Sequence, residues 1–586
     1  MKNRTRFFSI VRIVTACTLI AAAAVMAVIL STEALVSVGS PPSPLAQNEQ
    51  TEPALAVDAA HPNVLAAGAN DTIDMEAYNA GDDTTFPPFP FTPGVGISGV
   101  YFSFDSGHTW TQPTYTGYSG RFGIDNSCLG VVGPDPGCTP DPAGPIGTLP
   151  WYYENGLIPF GDPAVAFGPS PDTNGNFSWT NGSRLYYASI AFNFGDTFKG
   201  VAAVYVSRTD DVAAAAAGDK NAWLQPVLAS KQNSSLFSDK EQIWADNAAS
   251  SPFFGNVYIS YTAFRGQNGS AVPIMVSVSS DGGNTWTIKK VTEAATNAQH
   301  GFRQGTTIRT DSNGVVYLFF ARFGPGTPGI GTHAMVKSYD GGHTWTRPQD
   351  IISMNDACYN VDPVIGRCVE DGIAGARDFL GPAPSVDIAN GAPTGAGATN
   401  EIVDTWADGR FGLNNEKVML SYSTNGGDSW SDPTAISSSG DRGYYAAAAI
   451  SPNGQELYLV YNAFTTPYRT NTSDPRSLVG VVLHADIAVD GAPTNWTELH
   501  RSPPGDPRGS TDTGTAEFLG DYVYAIATST YGAAVWNDTR NAADCPAMDA
   551  WRMSLRGGPP APLPAPQQDC PSTFGNVDVF SWTSAP

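Results

Sequence analysis

Three arginines stand at corresponding places in a repeated sequence pattern, and their chemistry indicates a site for an anion. Arg303, Arg377 and Arg442 each precede or open a short strand-like segment. A guanidinium group matches a carboxylate with two parallel hydrogen bonds, and clustered guanidinium groups repel one another unless acids or an anionic ligand intervene. Tyr444 and Glu517 stand at similar strand starts. The pattern predicts one pocket lined by these five side chains.

Further charged residues share these strand starts and so belong near the same pocket. They are Glu52, Asp162, Asp239 with Lys240 and Glu241, Asp378, Asp441, and Asp521 with Tyr522. A second set follows the next strand of each repeat: Asp71, Arg265, Arg322, Asp408 with Arg410, and Asp538 with Arg540. For the Asp–Arg pairs, the alternative interpretation is an ion pair that rigidifies a turn.

The segments that position these residues form a repeat of short strands. Seven small-residue strands are predicted at 53–58, 163–167, 242–246, 306–310, 384–388, 445–450 and 519–524. A second strand follows each, at 64–68, 185–189, 257–261, 316–320, 401–406, 457–461 and 533–536. Such self-similarity is typical of propeller blades, so we predict an all-β propeller of four-stranded antiparallel blades, with seven blades favoured and six as the alternative. The last copy is the weakest, and a strand from the N-terminal side is expected to complete it. The Ala-rich run 212–217 is predicted to belong to a loop.

Four octets with the pattern Ser-x-Asp/Asn-x-Gly-x-Thr/Ser-Trp lie at the end of third strands. They are Ser103–Trp110, Ser279–Trp286, Ser338–Trp345 and Ser423–Trp430. The acidic or amide oxygens of Asp105, Asp281, Asp340 and Asn425 can accept the backbone N–H groups of a tight turn, and the glycine can adopt positive φ. These side chains are therefore predicted to be structural. The chain resembles the Asp-box (bacterial neuraminidase repeat) family, whose members are β-propellers of the sialidase type.

The octets also divide the disc into two faces. In a four-stranded blade, turns after the first and third strands share one face, so the long insertions fall on the other. These insertions hold Trp151 and three cysteine pairs that are close in sequence: Cys128 with Cys138, Cys358 with Cys368, and Cys545 with Cys570. Disulfide pairing within each is predicted, with metal ligation as the less supported alternative. Long stapled loops on one face of a rigid scaffold indicate that binding or catalysis takes place there.

The resemblance implies specific roles for residues on that insertion face. Sialidases of this type hold a substrate carboxylate with three arginines, which implies Arg303, Arg377 and Arg442 as substrate-binding residues. They use a Tyr nucleophile activated by Glu and an Asp acid/base, which implies Tyr444 or Tyr522 with Glu517, and Asp162 or Asp71 as the acid. Independently of the resemblance, the aromatic insertion around Trp151 is predicted to contribute to substrate binding. However, the Phe/Tyr-Arg-Ile-Pro signature of the family is missing, since the corresponding position reads Gln50-Thr51-Glu52-Pro53. The resemblance is therefore strong for the scaffold and weak for catalysis.

Length, charge and the N-terminus restrict the class of protein. The chain has 586 residues and a formal net charge of −24 from 31 basic and 55 acidic residues, which argues against a nucleic-acid partner. Residues 1–34 place arginines before the apolar run 13–30, which indicates a secretory signal peptide or an uncleaved membrane anchor. We predict a linker at 35–50, a single propeller at 51–586, and a secreted or cell-surface monomer. No cofactor is expected, and a structural calcium near Asp82, Asp83 and Asp135 stays open.

Two functions of different classes follow from these observations. The first is an exo-acting glycoside hydrolase of the sialidase type, and the second is a non-catalytic propeller that binds glycan or a surface protein. Arginines that converge on one carboxylate-sized pocket, with Tyr and Glu below it, would favour the enzyme. An open aromatic shelf without that cluster would favour binding.

Overall fold

The computed structural model is a seven-bladed β-propeller, as predicted. It describes residues 32–40, 48–75, 94–128, 139–231, 233–266, 269–293, 296–325, 329–361, 368–369, 371, 377–378, 380–510, 518–564 and 566–586. Each blade is an antiparallel sheet whose first strand lies nearest the central channel. Among the described residues, no helix combines the length and the apolar character needed to cross a membrane.

The first four blades follow the repeat in chain order. Blade 1 contains Gln50–Val57, Leu65–Asp71 and Ser98–Ser103. Blade 2 contains Ala164–Pro171, Phe177–Asn193, Ala203–Thr209 and Trp223–Leu228, with Leu157–Pro159 added beside its second strand. Blade 3 contains Leu236–Ala245, Val257–Arg265, Ile274–Ser279 and Thr287–Lys290. Blade 4 contains Phe302–Thr310, Val316–Phe323, Ile330–Ser338 and Gln349–Asn355.

The remaining three blades complete the ring. Blade 5 contains Ser385–Ile388, Ile402–Asp408, Lys417–Ser423 and Thr434–Ala435. Blade 6 contains Arg442–Ile450, Glu456–Phe464, Leu478–Ile487 and Pro493–Arg501. Blade 7 contains Tyr524–Ala527, Gly532–Asp538 and Asp578–Thr583, and its outer strand is Thr32–Leu35. The first strand of blade 7 was predicted at 519–524. Residues 518–523 form no strand, so the observed strand begins at Tyr524, the last residue of that segment.

The N-terminal strand closes the ring, as expected from the weak last repeat. Thr32–Leu35 pairs antiparallel with Phe580–Thr583, so the two ends of the described chain meet in one sheet. Such pairing leaves blade 7 with four strands and no missing outer edge. The propeller therefore includes Thr32–Leu35. The predicted boundaries assign these residues to the N-terminal segment 1–34 and to the linker 35–50, so the propeller begins earlier than predicted.

Short elements outside the blades lie mainly in the insertions. Small sheets pair Tyr115–Ser119 with Asp141–Ile146, and Cys368–Val369 with both Asn360–Val361 and Arg377–Asp378. The α-helices are Val212–Ala216, Asn297–His300, Pro546–Ser554 and Pro566–Asp569. Single 3-10 turns are Thr72–Asp74, Ile124–Asn126, Tyr153–Asn155, Lys220–Ala222 and Pro507–Gly509. The loop prediction for the Ala-rich run 212–217 was thus wrong: Asp211 caps a short helix by accepting a hydrogen bond from the Ala214 N–H.

The core is divided among the interfaces between adjacent blades. Between blades 1 and 2, for example, Val100 and Phe102 pack against Leu185 and Tyr187, and all four are fully buried. Burial of each large apolar side chain stabilises the fold by about 1.5–3 kcal/mol. Because every blade uses both of its faces in this way, the ring is rigid and its loops are held at fixed positions.

The four octets form the same turn. In the first, Asp105 Oδ1 accepts hydrogen bonds from Ser103 Oγ (2.8 Å) and the Thr109 N–H (2.9 Å). Gly107, at φ 92°, donates its N–H to Ser103 Oγ. The same bonds recur around Asp281, Asp340 and Asn425. The tryptophans that follow pack in the interface with the preceding blade, or for Trp110 with blade 7.

Candidate functional site

Three charged residues occupy a strained backbone conformation at corresponding strand starts. Glu52, Asp162 and Lys240 have φ of 54°, 49° and 58°, in the left-handed region that disfavours residues other than glycine. At Glu52 and Lys240 the first strand bulges, because two of its residues face one residue of the second strand. Blade 4 uses Gly305, at φ 63°, for the same bulge. Non-glycine residues in this region cost about 1–3 kcal/mol each and concentrate at functional sites.

These strained residues meet around one lysine, which with its four nearest acids forms the channel cluster. The Lys240 ammonium lies 2.6 Å from Asp521 and 2.9 Å from Asp162. Glu52 and Asp239 follow at 3.7 and 4.0 Å. The side chains of Asp162 and Asp239 are 10 % and 13 % exposed, whereas the other three are more deeply buried. The cluster therefore closes the channel at the insertion face and exposes mainly these two carboxyl groups.

Burial and proximity separate the acidities of these groups. Burial raises the pKa of Asp239 to about 8, with the Asp162 charge adding to the effect and Lys240 opposing it. For Asp162, burial disfavours ionisation, but Lys240 and hydrogen bonds from Glu52 and Asp239 hold its pKa below the usual range. Burial also raises the pKa of Glu52 well above its ordinary value. Near neutral pH the cluster thus holds protonated carboxyl groups next to an ionised one.

A further buried acid and two tyrosines border the cluster. Glu241 is 1 % exposed, and burial together with the Asp162 charge raises its pKa well above the ordinary value. Burial, together with the Asp162 charge, raises the pKa of Tyr522 well above 10, so its phenol stays protonated and donates to Asp162 (3.3 Å). Two residues further along the chain, Tyr524 donates a hydrogen bond to Gln242. A cavity of about 50 Å³ is lined by both of these residues and by Lys240 and Tyr522.

Three aromatic side chains, one half-buried and two exposed, form a stacked row. The rings of Tyr118 and Tyr153 stack with centroids 3.9 Å apart, and the Phe194 ring continues the row 5.1 Å from Tyr153. Tyr153 is 36 % and Phe194 is 49 % exposed. The row lies on the insertion face, because Tyr118 and Tyr153 belong to the link between blades 1 and 2 and Phe194 follows the second strand of blade 2. We call these three residues the aromatic row.

Trp151 anchors the row rather than extending it. Its indole N–H is shared between the carbonyl oxygens of Lys220 (3.0 Å) and Trp223 (3.1 Å). The Lys220 ammonium lies 4.3 Å from the ring centroid, and Glu154 pairs with that lysine. The ring face predicted to bind substrate is therefore covered by a cation of the chain itself.

The predicted arginine pocket is not assembled from the side chains that the structure describes. Arg303 is buried against Glu293, with its Nη1 3.1 Å from the Glu293 carbonyl oxygen and its Nη2 3.6 Å from the carboxylate. Arg442 binds Glu416 through two hydrogen bonds of 2.9 and 3.1 Å. Of Arg377 only the backbone is described, and it pairs with Val369. Two of the three arginines thus engage two different acids of the chain.

Of the predicted nucleophile pair Tyr444 and Glu517, the structure describes Tyr444 alone. Tyr444 is fully buried, packs against Tyr445 and Phe464, and accepts a hydrogen bond from the Tyr445 phenol. Glu517 lies outside the described residues. Of the predicted catalytic residues that the structure describes, Asp162 is the one in the channel cluster. Lys240, Glu52, Asp239 and Asp521 complete the cluster. Their strand-start positions placed them near the pocket in the sequence, but did not show that Lys240 is its centre.

The insertions are stapled as expected where the structure describes them. Disulfides join Cys358 to Cys368 and Cys545 to Cys570. Both lie in segments on the insertion face, after blade 4 and after the second strand of blade 7. Cys138 lies outside the described residues, so its pairing with Cys128 stays a prediction. Two structural disulfides fit an extracellular protein.

One group of described residues brings possible metal-ligand atoms together. Glu456, His484 and Asp486 are the one group whose ligand atoms all lie within 4.8 Å of one another. In that group, His484 already hydrogen-bonds Glu456, and Asp486 accepts from Asn495. The acids considered for calcium, Asp82, Asp83 and Asp135, lie outside the described residues.

Comparisons with known proteins find similarity at the level of structure alone. No protein-family model and no curated protein matches the chain. Among solved structures, the Hadza microbial sialidase Hz136 is 15 % identical with a TM-score of 0.37, over 71 % of this chain and 63 % of that one. The Trypanosoma rangeli sialidase in complex with the inhibitor DANA is 12 % identical with a TM-score of 0.37, over 76 % and 56 %. The intramolecular trans-sialidase of Ruminococcus gnavus is 13 % identical with a TM-score of 0.39, over 73 % and 94 %.

The chain thus spans less than two thirds of the length of the first two of these proteins. At such scores the similarity says nothing about activity, and the number of blades rests on the strand pairing itself.

Proposed function

We propose that the chain is an extracytoplasmic glycan-binding propeller, with the aromatic row as its sugar platform. The observation that carries this proposal is the stacked arrangement of the half-buried Tyr118 with the exposed Tyr153 and Phe194 on the insertion face. Exposed apolar patches rimmed by polar groups mark interaction sites. Flat ring faces held rigidly in this way can cover the apolar C–H face of a sugar at little entropic cost.

Electrostatics favour a neutral glycan over a sialoside. The described arginines of the predicted pocket are committed to Glu293 and Glu416. The channel cluster sets four acids against one lysine, and its ionised Asp162 would repel a substrate carboxylate. The raised pKa of Tyr522 also disfavours a phenolate nucleophile there.

Glycan binding is tested on an array of neutral, amino and sialylated glycans. Tyr153→Ala and Phe194→Ala, singly and together, should weaken retention of the bound glycan by about tenfold or more, since each removes a large apolar contact. Tyr339→Ala is the matched control, because Tyr339 is 64 % exposed but lies in an octet on the opposite face. Retention that survives the double change, or that falls equally in the control, would reject the aromatic row as the platform.

A second candidate function is hydrolysis of a neutral glycoside at the channel cluster. Strained charged residues and the split acidities of Asp239 and Asp162 favour it. In this mechanism protonated Asp239 donates its proton to the glycosidic oxygen as the C–O bond breaks. The Asp239 carboxylate formed in that step then accepts a proton from the water whose oxygen bonds to the anomeric carbon on the same face, so that Asp239 ends the cycle protonated. Asp162, which is hydrogen-bonded to Asp239, stays ionised and stabilises the positive charge that develops on the sugar.

A panel of fluorogenic glycosides that includes a sialoside tests this candidate. We expect turnover of a neutral glycoside. The turnover rate should fall about a hundredfold or more in Asp162→Asn and in Asp239→Asn, and it should not change in Asp428→Asn. Asp428 is an exposed acid of the fourth octet that pairs with Lys337. Turnover of the sialoside would restore the sialidase hypothesis, and no turnover on any substrate would leave glycan binding as the function.

A further inference from the structure

The channel has a second, wider end on the octet face. A cavity of about 250 Å³ opens there, lined by the C-terminal halves of the first strands and the turns that follow them. It ends at Gln242 and Tyr524, whose hydrogen bond separates it from the channel cluster. Pockets of about 300–1,000 Å³ hold drug-sized ligands, so this volume suits a smaller molecule. The cavity is independent of the aromatic row and of the function proposed for it.

Uncommitted hydrogen-bond donors line this cavity. Arg309 is held with its guanidinium carbon 4.6 Å from the Trp244 ring centroid, and its Nη1 donates to the carbonyl oxygen of Ile308. Within the described residues, its Nη2 donates to no acceptor. Asn247 accepts from Asn390 through its oxygen, and Gln242 accepts from Tyr524 through its own, so both amide nitrogens keep their donors.

Two acidic groups of the cavity, Asp58 and Asp387, already accept hydrogen bonds from the chain. Asp58 is engaged by the Ala60 N–H and by His61, both at 2.9 Å. Asp387 accepts the Ile450 N–H at 3.0 Å, and its other oxygen reaches Arg309 Nε only at 3.4 Å. Burial raises the pKa of Asp387, whereas the Arg309 charge and the Ile450 N–H lower it. The donors that keep no acceptor among the described residues are Arg309 Nη2 and the two amide nitrogens, and they stand beside walls of apolar strand residues such as Val165, Ile243 and Ile526.

We propose that this octet-face cavity binds a small organic carboxylate, with Arg309 as the anion-binding residue and Asn247 and Gln242 as additional donors. The carboxylate of such a ligand supplies hydrogen-bond acceptors for these donors. The apolar part of the ligand fills the space between the strands. Stacking on Trp244 fixes the guanidinium plane, so that its free edge is presented without loss of side-chain entropy on binding.

Isothermal titration with three probes of equal shape tests this proposal. Naphthoate, its neutral amide and its cationic amidine share one ring system and differ in the charge and in the donors and acceptors of one group. Naphthoate should bind about tenfold or more tightly than the amide, because a hydrogen bond to a charged group is worth more than one to a neutral group. The amidine should not bind. Equal binding of naphthoate and amide would overturn the proposal.

Variants locate the site. Arg309→Met should abolish the preference for naphthoate over the amide, and Arg309→Lys should keep part of it because the charge remains. Arg347→Met, an exposed arginine with no contact among the described residues, is the matched control and should change nothing. The Tyr153→Ala/Phe194→Ala variant should also bind naphthoate normally. An unchanged preference in Arg309→Met refutes the proposal, and if that variant fails to fold, an unchanged preference in Arg309→Lys does so instead.

Discussion

Removal of one carboxylate from the closing strand should destabilise the whole ring. Glu33 of Thr32–Leu35 accepts a hydrogen bond from His500 (2.7 Å) and pairs with Arg540 of blade 7. Burial disfavours its ionisation, but these two partners together lower its pKa from 4.5 to about 2. At ~1.4 kcal/mol for each pKa unit, this corresponds to about 3 kcal/mol. Because the side chain is 20 % exposed, solvent screening reduces the expected loss in Glu33→Gln to about 2 kcal/mol.

The pH dependence of this loss has a defined sign. A carboxylate whose pKa is lower in the folded state stabilises the fold at pH values above its unfolded pKa. The difference in free energy of unfolding between the native chain and Glu33→Gln should therefore be full above about pH 4.5 and should shrink as the pH falls towards 2.

Thermal unfolding followed by circular dichroism at several pH values measures this difference. Glu154→Gln is the control, because Glu154 is 40 % exposed and pairs with Lys220 on the surface, where an ion pair contributes only about 0–1 kcal/mol. A variant as stable as the native chain at neutral pH, or a difference that persists unchanged in acid, would show that the Glu33 ion pairs do not hold the closing strand.

Three further changes test the ring, the cluster and an insertion. A chain that starts at Thr32 should keep the unfolding midpoint of the full chain, whereas one that starts at Val36 should unfold at a lower temperature because blade 7 loses its outer strand. Lys240→Met should lower the free energy of unfolding by about 3–5 kcal/mol, since Asp162 and Asp521 lose their buried counter-ion, and denaturant titration should show a smaller loss in acid. Cys545→Ser/Cys570→Ser opens a loop of 25 residues and should cost about 3 kcal/mol, measured against the native chain without reductant.

The fold could be predicted because its signals are local and repeated. Each octet contains its own donors and acceptors, so the turn around Asp281 is specified by Ser279 and Thr285 alone. The alternating small and apolar residues of the first strands similarly require only a neighbouring blade on each side. The helix Pro546–Ser554 was missed because it lies between the two cysteines of an insertion, where no repeat predicts it.

The candidate site could be predicted only in part, because its chemistry depends on partners distant in sequence. Arg442 stands at a strand start as expected, but Glu416 from blade 5 neutralises it. Lys240 between Asp239 and Glu241 has the sequence pattern of a solvated run of charges. Only the ring brings Asp521 to within 2.6 Å of the lysine and makes it a buried centre. The aromatic row likewise joins Tyr118 and Phe194 across an insertion.

The seven blades provide an internal comparison that bears on why these charges are present. A left-handed residue at the first-strand bulge is most easily supplied by glycine, and Gly305 of blade 4 does so. Ahead of the first strand of blade 7, Gly520, at φ 76°, directly precedes Asp521. Blades 1 and 3 use Glu52 and Lys240 at the bulge instead, and blade 2 has Asp162, at φ 49°, just before its first strand. The backbone geometry therefore does not explain the residue types. The side chains themselves must account for them, and what they do is meet at the insertion-face end of the channel. The strain at these three residues is therefore tied to the channel cluster rather than to the blade, and the cluster lies on the face that also carries the aromatic row.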